Sequence, residues 1–417
     1  MYYKLKNNIL WRNELNSFML LHPENKKLLI FPKYISDNIS INGIIREKKE
    51  TENFIKFLNS ENLLDNIDIL NSNEIFGSGE LTAPLNVTLQ ITDKCNLKCI
   101  HCHRKDKGVI DLSLSKVKLL IDELVEMKVF NINVSGGEAL MHPDVYSIFE
   151  YGFGKGLKMT MSTNGILLTD NNVKKLYDLG LRQVHISLDS YLDNKHDLIR
   201  GVKNSFFKTI TNLNILKKYG INFTLVTTLV NQDFDEYKKI IDLAYTLGAS
   251  AHKTNLLIPQ GQGSNLQVNY YNDSKILDKY IKIFKLQREK FSGKMNVIGE
   301  SMFLISSGEN IVSKDDKKPD ILKIGCPAGF TTSAITELGE VLPCPFFSEL
   351  EVGNINNDTF KNIWNNSNSL NKIRRRGEIK GCGKCNFKDS CGGCRARVFG
   401  IEGVLNNEDK YCFKNIN

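Results

Sequence analysis

A chain of 417 residues exceeds one ordinary domain and suits two or three, and a hydrophobic share of 41% gives it enough apolar side chains for real cores. Ten cysteines over that length exclude a small secreted disulfide scaffold. The net charge of +8 admits acidic partners or nucleic acid, but the lysines are spread along amphipathic patterns, so the expectation is no nucleic acid. The densest basic run, Lys372-Ile373-Arg374-Arg375-Arg376, reads as a solvated helix face, with a grip on an acidic peptide as the other reading. No apolar run approaches the roughly 20 residues that cross a bilayer. The polar start Met1-Tyr2-Tyr3-Lys4-Leu5-Lys6 lacks a signal-peptide pattern. The expectation is a cytoplasmic chain that does not engage a membrane.

In chain order, residues 1–70 form a first unit. Tyr2–Lys6, Ser17–Leu21 and Lys27–Phe31 read as short strands, with turn signals at Asn7-Asn8 and His22-Pro23-Glu24-Asn25. Helical patterns follow at Tyr34–Ile41 and Thr51–Leu58, the second with Phe54, Ile55, Phe57 and Leu58 as its apolar stripe. Strands followed by helices at this length resemble the RiPP recognition element, a small winged-helix-like α+β module. That resemblance implies binding of the leader of a ribosomally made precursor peptide; a small structural cap fits the same pattern. Residues 71–84 read as a linker, Gly- and Ser-containing from Asn71 to Glu80.

From residue 85 to 290, strands and helices alternate. Strands are expected at Asn86–Ile91, Asn131–Ser135, Lys158–Ser162, Gln183–Leu188, Asn222–Leu229 and Ser250–Leu256. Helices are expected at Ser113–Lys128, Asp144–Tyr151, Asp170–Leu179, Ser205–Tyr219 and Asp233–Leu247. In the first helix Val117, Leu120, Ile121 and Leu124 share a face, with Ser113 as its cap. Such alternation builds a parallel sheet with right-handed crossovers.

The first strand leads into Cys95-Asn96-Leu97-Lys98-Cys99-Ile100-His101-Cys102. Three thiolates in a CX3CX2C spacing can hold three corners of a cubane iron–sulfur cluster and leave the fourth iron open. A structural zinc site would require a fourth protein ligand. Reduced thiols in a plain loop are the bland alternative.

This motif resembles the defining motif of the radical S-adenosylmethionine (SAM) superfamily. The resemblance implies a partial (β/α)6 TIM-like barrel and a [4Fe–4S] cluster that binds SAM. His101 stands where that family usually has an aromatic residue. Further motifs follow successive strands, where barrels of this type gather ligands. Ser135-Gly136-Gly137-Glu138 matches the segment that holds the methionyl amine. Ser162-Thr163-Asn164-Gly165 and Ser187-Leu188-Asp189-Ser190 offer hydroxyl, amide and carboxylate groups to a ribose diol. Arg200 matches an arginine that pairs with the SAM carboxylate, and Ile258 is placed to pack on adenine. Beyond the cluster no catalytic residue is assigned.

Residues 291–325 connect to a C-terminal unit, residues 326–417, holding the other seven cysteines: Cys326, Cys344, Cys382, Cys385, Cys391, Cys394 and Cys412. Cys344 closes a GX4C hairpin that starts at Gly339, and CX2C pairs follow. The pattern resembles the cysteine-rich SPASM domain, which carries auxiliary iron–sulfur clusters. In this chain the last pair, Cys391 and Cys394, is one residue closer than the usual CX3C. A zinc ribbon is the alternative, although only five residues separate Cys385 from Cys391. One or two auxiliary [4Fe–4S] clusters are expected. The resemblance implies that Cys326, Cys344 and Cys394 hold the nearer cluster and Cys382, Cys385, Cys391 and Cys412 the farther one. The nearer set then lacks a fourth ligand, which a carboxylate, a backbone group, water or a substrate thiolate would supply.

These resemblances imply a radical SAM oxidoreductase that forms a 5′-deoxyadenosyl radical. It would install an intrapeptide crosslink on a precursor peptide with a leader. A thioether of sactionine or ranthionine type comes first, with carbon–carbon and carbon–oxygen bonds as siblings. A flavodoxin or ferredoxin would reduce it. The rival readings are an enzyme acting on a small molecule or haem precursor, or an anaerobic sulfatase-maturase-type oxidase. An iron–sulfur electron carrier would need neither the Gly136-Gly137-Glu138 segment nor Arg200.

Overall fold

The computed structural model describes residues 2–6, 9–40, 43–67, 81–104, 109–268, 273–306 and 325–412. The Gly- and Ser-containing linker at residues 71–80 and most of the connecting segment after residue 306 lie outside the described residues.

The N-terminal unit contains two three-stranded antiparallel sheets. One orders β5 (Ile44–Arg46), β1 (Tyr2–Leu5) and β6 (Leu64–Ile67); the other orders β2 (Leu10–Glu14), β3 (Ser17–Leu21) and β4 (Leu28–Phe31). The sequence reading had three strands here and missed β2, β5 and β6. The miss at β2 has a physical cause. Arg12 and Glu14 are buried in it and bonded to each other, and Arg12 also reaches the carbonyls of Ala83 (2.6 Å) and Pro84 (3.1 Å). Charged residues facing an interface erase the apolar alternation that marks a strand. Helix α1 is only Lys33–Ser36, shorter than the expected Tyr34–Ile41. Its continuation is claimed by strand pairing: Ile39 bridges Ile45, and Ser40 N donates to Ile44 O. Helix α2 (Glu52–Ser60) buries Phe54, Ile55 and Leu58 against Phe18, Leu20 and Ile35.

The central sheet has ten strands. Seven run parallel in chain order: β7 (Asn86–Gln90), β8 (Asn131–Ser135), β9 (Lys158–Thr163), β10 (Gln183–Ser187), β11 (Asn222–Leu229), β12 (Ala251–Leu256) and β13 (Asn296–Ile298). The last of these lies in the segment read from sequence as a connection. Crossovers are made by α3 (Leu114–Glu126), α4 (Val145–Gly154), α5 (Asp170–Leu179), α6 (Asp193–Arg200) with α7 (Ser205–Lys218), α8 (Phe234–Thr246) and α9 (Ser274–Lys290). Ser113 caps α3 as its position implied, accepting from Lys116 N. Strand residues alternate. Val87, Leu89, Ile132, Val134, Val184 and Ile186 are buried in the main core, each worth about 1.5–3 kcal/mol. Their neighbours Asn86, Asn131, Lys158, Thr160, Gln183 and His185 line the lumen.

The N-terminal unit covers the base of this barrel, at the starts of the strands. Met19, Leu21, Leu85 and Phe130 form one buried cluster, joined by Leu10, Leu28, Ile30 and Leu81. After α10 (Ser301–Ser306), strand β14 (Thr332–Ile335) docks parallel to β7 on the opposite edge from β13. Strands β15 (Glu340–Leu342) and β16 (Gly353–Asn354) extend the same sheet. Helices α11 (Phe360–Asn366), α12 (Asn368–Arg374) and α13 (Arg395–Glu402) complete the chain. Here the solvated reading of the basic run is corrected. Arg376 is 6% exposed and donates to the carbonyls of Cys326 and Asp389, while Arg374 donates to those of Gly329 and Trp364. These guanidiniums satisfy buried carbonyls, a role that Lys cannot fill with the same fork of donors.

Candidate functional site

The three cysteines of the first loop lie past the C-terminal end of β7, and three elements fix the loop. At its neck, Thr92 bridges Asp111, with Thr92 Oγ1 donating to the carboxylate at 2.6 Å. On one side, Lys98 N and Ile100 N donate to the carbonyls of Arg200 and Ile199 at the end of α6. On the other, Cys102 O accepts from Gln262 N at 2.8 Å and from Gly263 N, in the loop after β12. The α6 contact requires glycine next to Arg200: Gly201 has φ +71°, and a Cβ there would lie 2.3 Å from Lys98 O. Helix α6 escaped the sequence reading, because its polar Asp193-Asn194-Lys195-His196 start shows no apolar stripe.

The Gly136-Gly137-Glu138 segment grips the root of this loop. Gly137 N donates to Thr92 O at 2.7 Å and Glu138 N to Lys94 O at 2.8 Å. A Cβ on Gly137 would fall 2.4 Å from Lys94 O, so only glycine permits the approach. Glu138 is 1% exposed. Its carboxylate accepts from Thr163 Oγ1 (2.8 Å), Asn164 N (2.8 Å) and Leu140 N (3.2 Å). Burial raises its pKa despite those bonds. Asn164 Nδ2 in turn donates to Asn96 Oδ1 at 2.6 Å, tying the end of β9 to the cysteine loop. Ser162 bonds Asn133, and Ser187 is half-buried at the end of β10.

A second group joins four residues from three motifs. Arg200 Nη2 lies 2.7 Å from Asp189 Oδ2, and Arg200 Nη1 lies 3.7 Å from Cys99 Sγ. His101 Nε2 lies 3.5 Å from the same Asp189 oxygen. Burial works against the Asp189 carboxylate, but Arg200, His101, His196 and the bond from Thr228 N together outweigh it and hold its pKa below the usual range. Burial pushes His101 down to about 4, so its imidazole is neutral near pH 7. Among the described residues, His101 Nδ1 and Arg200 Nε are buried without a protein partner. Asp189 and Arg200, read from sequence as two separate contacts to SAM, are thus one ion pair.

Burial raises the Cys99 thiol, with the Arg200 guanidinium acting against it. Among the described residues no three His, Cys, Asp or Glu side chains close on one point as a single metal ion requires. Ligands at separate corners of a cubane need no such convergence.

Ile258 is buried in a cluster with Ala334, Leu342, Cys344 and Phe347, beneath the C-terminal domain. Sequence reasoning missed the residues that join the two domains. Gln260, 2% exposed, donates to Ala396 O and accepts from Ser348 N. Arg104 pairs with the buried Glu337 at 2.5 Å. Both signals were single polar residues in turns, legible only with the partner in place.

The C-terminal cysteines fall into two neighbourhoods. Charges of Cys326 act on both Cys344 and Cys394, while those of Cys382 and Cys412 act on Cys391. Cys385 Sγ accepts from Phe387 N. Burial raises Cys344 and Cys391 to about 12. Arg397, buried, links Glu300 (2.9 Å) and Asp409 (2.6 Å), and Asp409 accepts from Cys394 N. Both carboxylates act on Cys394.

Residues 89–244 match the radical SAM superfamily, and residues 326–386 match the SPASM iron–sulfur cluster-binding domain. The AdoMet-dependent heme synthase of Methanosarcina barkeri is 31% identical over 340 residues, 79% of this chain and 96% of that protein. The chain belongs to the radical SAM superfamily. It is also similar to the mycofactocin maturase MftC of Mycobacterium tuberculosis, at 30% identity over 80% of this chain and 83% of that one. In fold it is similar to the crystal structure of Streptococcus suis SuiB bound to precursor peptide SuiA. The TM-score is 0.73 at 16% identity, covering 99% of this chain and 100% of SuiB. As a radical SAM enzyme with a SPASM domain, it uses a [4Fe–4S] cluster that binds SAM together with auxiliary iron–sulfur clusters. The donor set fits: three thiols in one loop, then two further thiol groups. No helix is long and apolar enough to cross a membrane among the described residues.

Proposed function

We propose that this radical SAM enzyme is a peptide maturase that installs an intrapeptide crosslink, a thioether first, on a ribosomally made precursor. The observation that carries this reading is the N-terminal unit of two small sheets and two helices. An enzyme that takes a freely diffusing substrate has no need of it. The extent of the likeness to SuiB, 99% of this chain, supports the same reading, since that fold was captured with its precursor peptide.

In this reading Cys95, Cys99 and Cys102 hold the SAM cluster. Glu138, Arg200 and Asp189 orient the methionyl group, Ser162, Asn164 and Ser187 face the ribose, and His101 and Ile258 border the nucleoside. Cys326, Cys344 and Cys394 hold one auxiliary cluster, and Cys382, Cys385, Cys391 and Cys412 the other. When bound, the clusters supply the electron that cleaves SAM to methionine and a 5′-deoxyadenosyl radical and take up the one released by crosslinking. Forming the C–S bond breaks one C–H and one S–H bond. The hydrogen atom goes to 5′-deoxyadenosine and the thiol proton to solvent. Residues 1–70 anchor the leader and so raise the effective concentration of the core peptide at the barrel mouth. A cytoplasmic setting, with a flavodoxin or ferredoxin as electron donor, follows from thiols kept reduced.

The test adds a free leader peptide to the holoenzyme. A saturating leader competes with precursor modification and leaves dithionite-driven SAM cleavage unchanged. Leu29→Pro, which breaks β4 pairing with β3, weakens leader binding without loss of iron. Modification that proceeds equally fast with and without competing leader would favour the second reading. That reading, a haem precursor or other small molecule as substrate, is favoured by the near-complete span of the M. barkeri heme synthase.

A further inference from the structure

The base of the barrel holds a cavity of about 240 Å³, far more than the roughly 10–15 Å³ that one water needs. Leu21 and Leu28 of the N-terminal unit floor it, and Asn131, Lys158, Gln183 and His185 line it from β8, β9 and β10. None of these four residues has a part in the reading above. No carboxylate lines the cavity, and among the described residues none pairs with Lys158. The charges acting on His185 are the ammonium groups of Lys253 and Lys158, both of the same sign. Lys253 stands on β12, in register with Val226 of β11. The negative groups acting on Lys253 are Glu300, already held by Arg397, and the Cys344 thiol, so Lys253 stands between this cavity and the C-terminal domain.

Like charges gathered in a partly desolvated lumen oppose folding unless a counter-charge joins them. Buried cations in proteins are normally paired. Asn131 adds an independent sign. Among the described residues its Oδ1 is buried without a partner, and the amide can present its Nδ2 there instead. The Lys158 ammonium, the His185 imidazole and the amides of Asn131 and Gln183 form a donor set suited to an oxyanion. A strand of five or six residues is roughly 17–20 Å long, so five or six extended peptide residues match the depth of the barrel.

We propose that the cavity lined by Lys158, His185, Gln183 and Asn131 is an oxyanion site that takes a carboxylate of the substrate, from an acidic side chain or the C-terminus of the peptide. The assignment of the carboxylate to a peptide rests on the proposed maturase function. The oxyanion site itself does not.

The test uses the full-length holoenzyme, with succinate and inorganic phosphate as probes by calorimetry. Succinate binds saturably to the wild type and about tenfold or more weakly to K158M and H185Q, the factor a charge-assisted hydrogen bond commands. K158R restores binding. In the peptide assay succinate raises KM and leaves kcat unchanged, and SAM cleavage without peptide is the same in all variants. Equal succinate affinity in the wild type and both variants overturns the site. Phosphate binding at least tenfold tighter than succinate overturns the carboxylate assignment, and so does succinate binding that leaves the peptide KM unmoved. Succinate binding that depends on Lys158, in an enzyme that modifies no peptide, sinks the maturase reading and keeps the oxyanion site.

Discussion

In the loop after β7, three thiols come from eight consecutive residues, Cys95 to Cys102; in the C-terminal domain seven are gathered from Cys326 to Cys412. The loop has little apolar packing of its own. Backbone hydrogen bonds from the ends of β8, α6 and β12 hold it, and Cys95 stays exposed. Among the C-terminal thiols Cys344 is buried and none is exposed, and side chains hold their surroundings. Arg376 reaches Cys326 O, Arg395 reaches the carbonyls of Leu405 and Asn407, and Arg397 links Glu300 and Asp409. A thiol set fixed from outside leaves room for an external ligand. One fixed by buried guanidiniums is closed and depends on each of them.

The sharpest way to break this comparison is to remove the loop thiols. Replacing Cys95, Cys99 and Cys102 together by Ala abolishes SAM cleavage and removes one cluster's worth of iron, while the C-terminal iron stays. Iron analysis and 5′-deoxyadenosine production check both arms. Next comes Arg397→Met, which strands two carboxylates. Breaking a buried ion pair this way costs roughly 3–5 kcal/mol. Thermal melts should fall accordingly, with C-terminal iron lost and loop iron retained; equal loss from both regions would contradict their independence.

Glu138→Ala and Arg200→Ala act on the cofactor end alone. Each removes a charged hydrogen-bond partner worth about 1.5–3 kcal/mol, which weakens SAM binding about tenfold or more at constant iron content. Equilibrium dialysis with labelled SAM measures it.

The smallest effect is a pH dependence away from all the thiols of the loop. Burial lowers His252 to about 3, so the unfolded chain binds a proton that the folded chain does not. Its contribution is constant above pH 6.5 and is lost as pH falls toward 3. At pH 5.5, one unit below the ordinary value, the loss is roughly 1.4 kcal/mol. Melts of the wild type and His252→Gln at pH 7.5 and 5.5 should differ in slope by that amount.

The difference between the two regions also explains what the sequence reveals. The six strands Asn86–Gln90 to Ala251–Leu256 carry alternating residues under buried helices, so period and turn residues expose them locally. The first cysteine loop is a local signal too, because its spacing is its geometry. Strand β13 and helix α6 stayed hidden, being short or polar. The links that depend on partners far along the chain were also illegible. Arg12 with the carbonyls of Ala83 and Pro84, Arg104 with Glu337, Gln260 with Ser348, and the pairing of Asp189 with Arg200 are single polar residues until folding joins them. The basic run at Lys372–Arg376 misled for the same reason, since its carbonyl acceptors lie up to about fifty residues away, at Cys326.

The account's central claim is that this enzyme crosslinks a peptide. Mass spectrometry of the cognate precursor after incubation with holoenzyme, SAM and reductant tests it most directly. The account predicts a peptide lighter by two hydrogens per crosslink, with one 5′-deoxyadenosine formed for each and a cysteine that no longer reacts with a thiol alkylator. A peptide of unchanged mass, recovered while SAM is consumed, would contradict it.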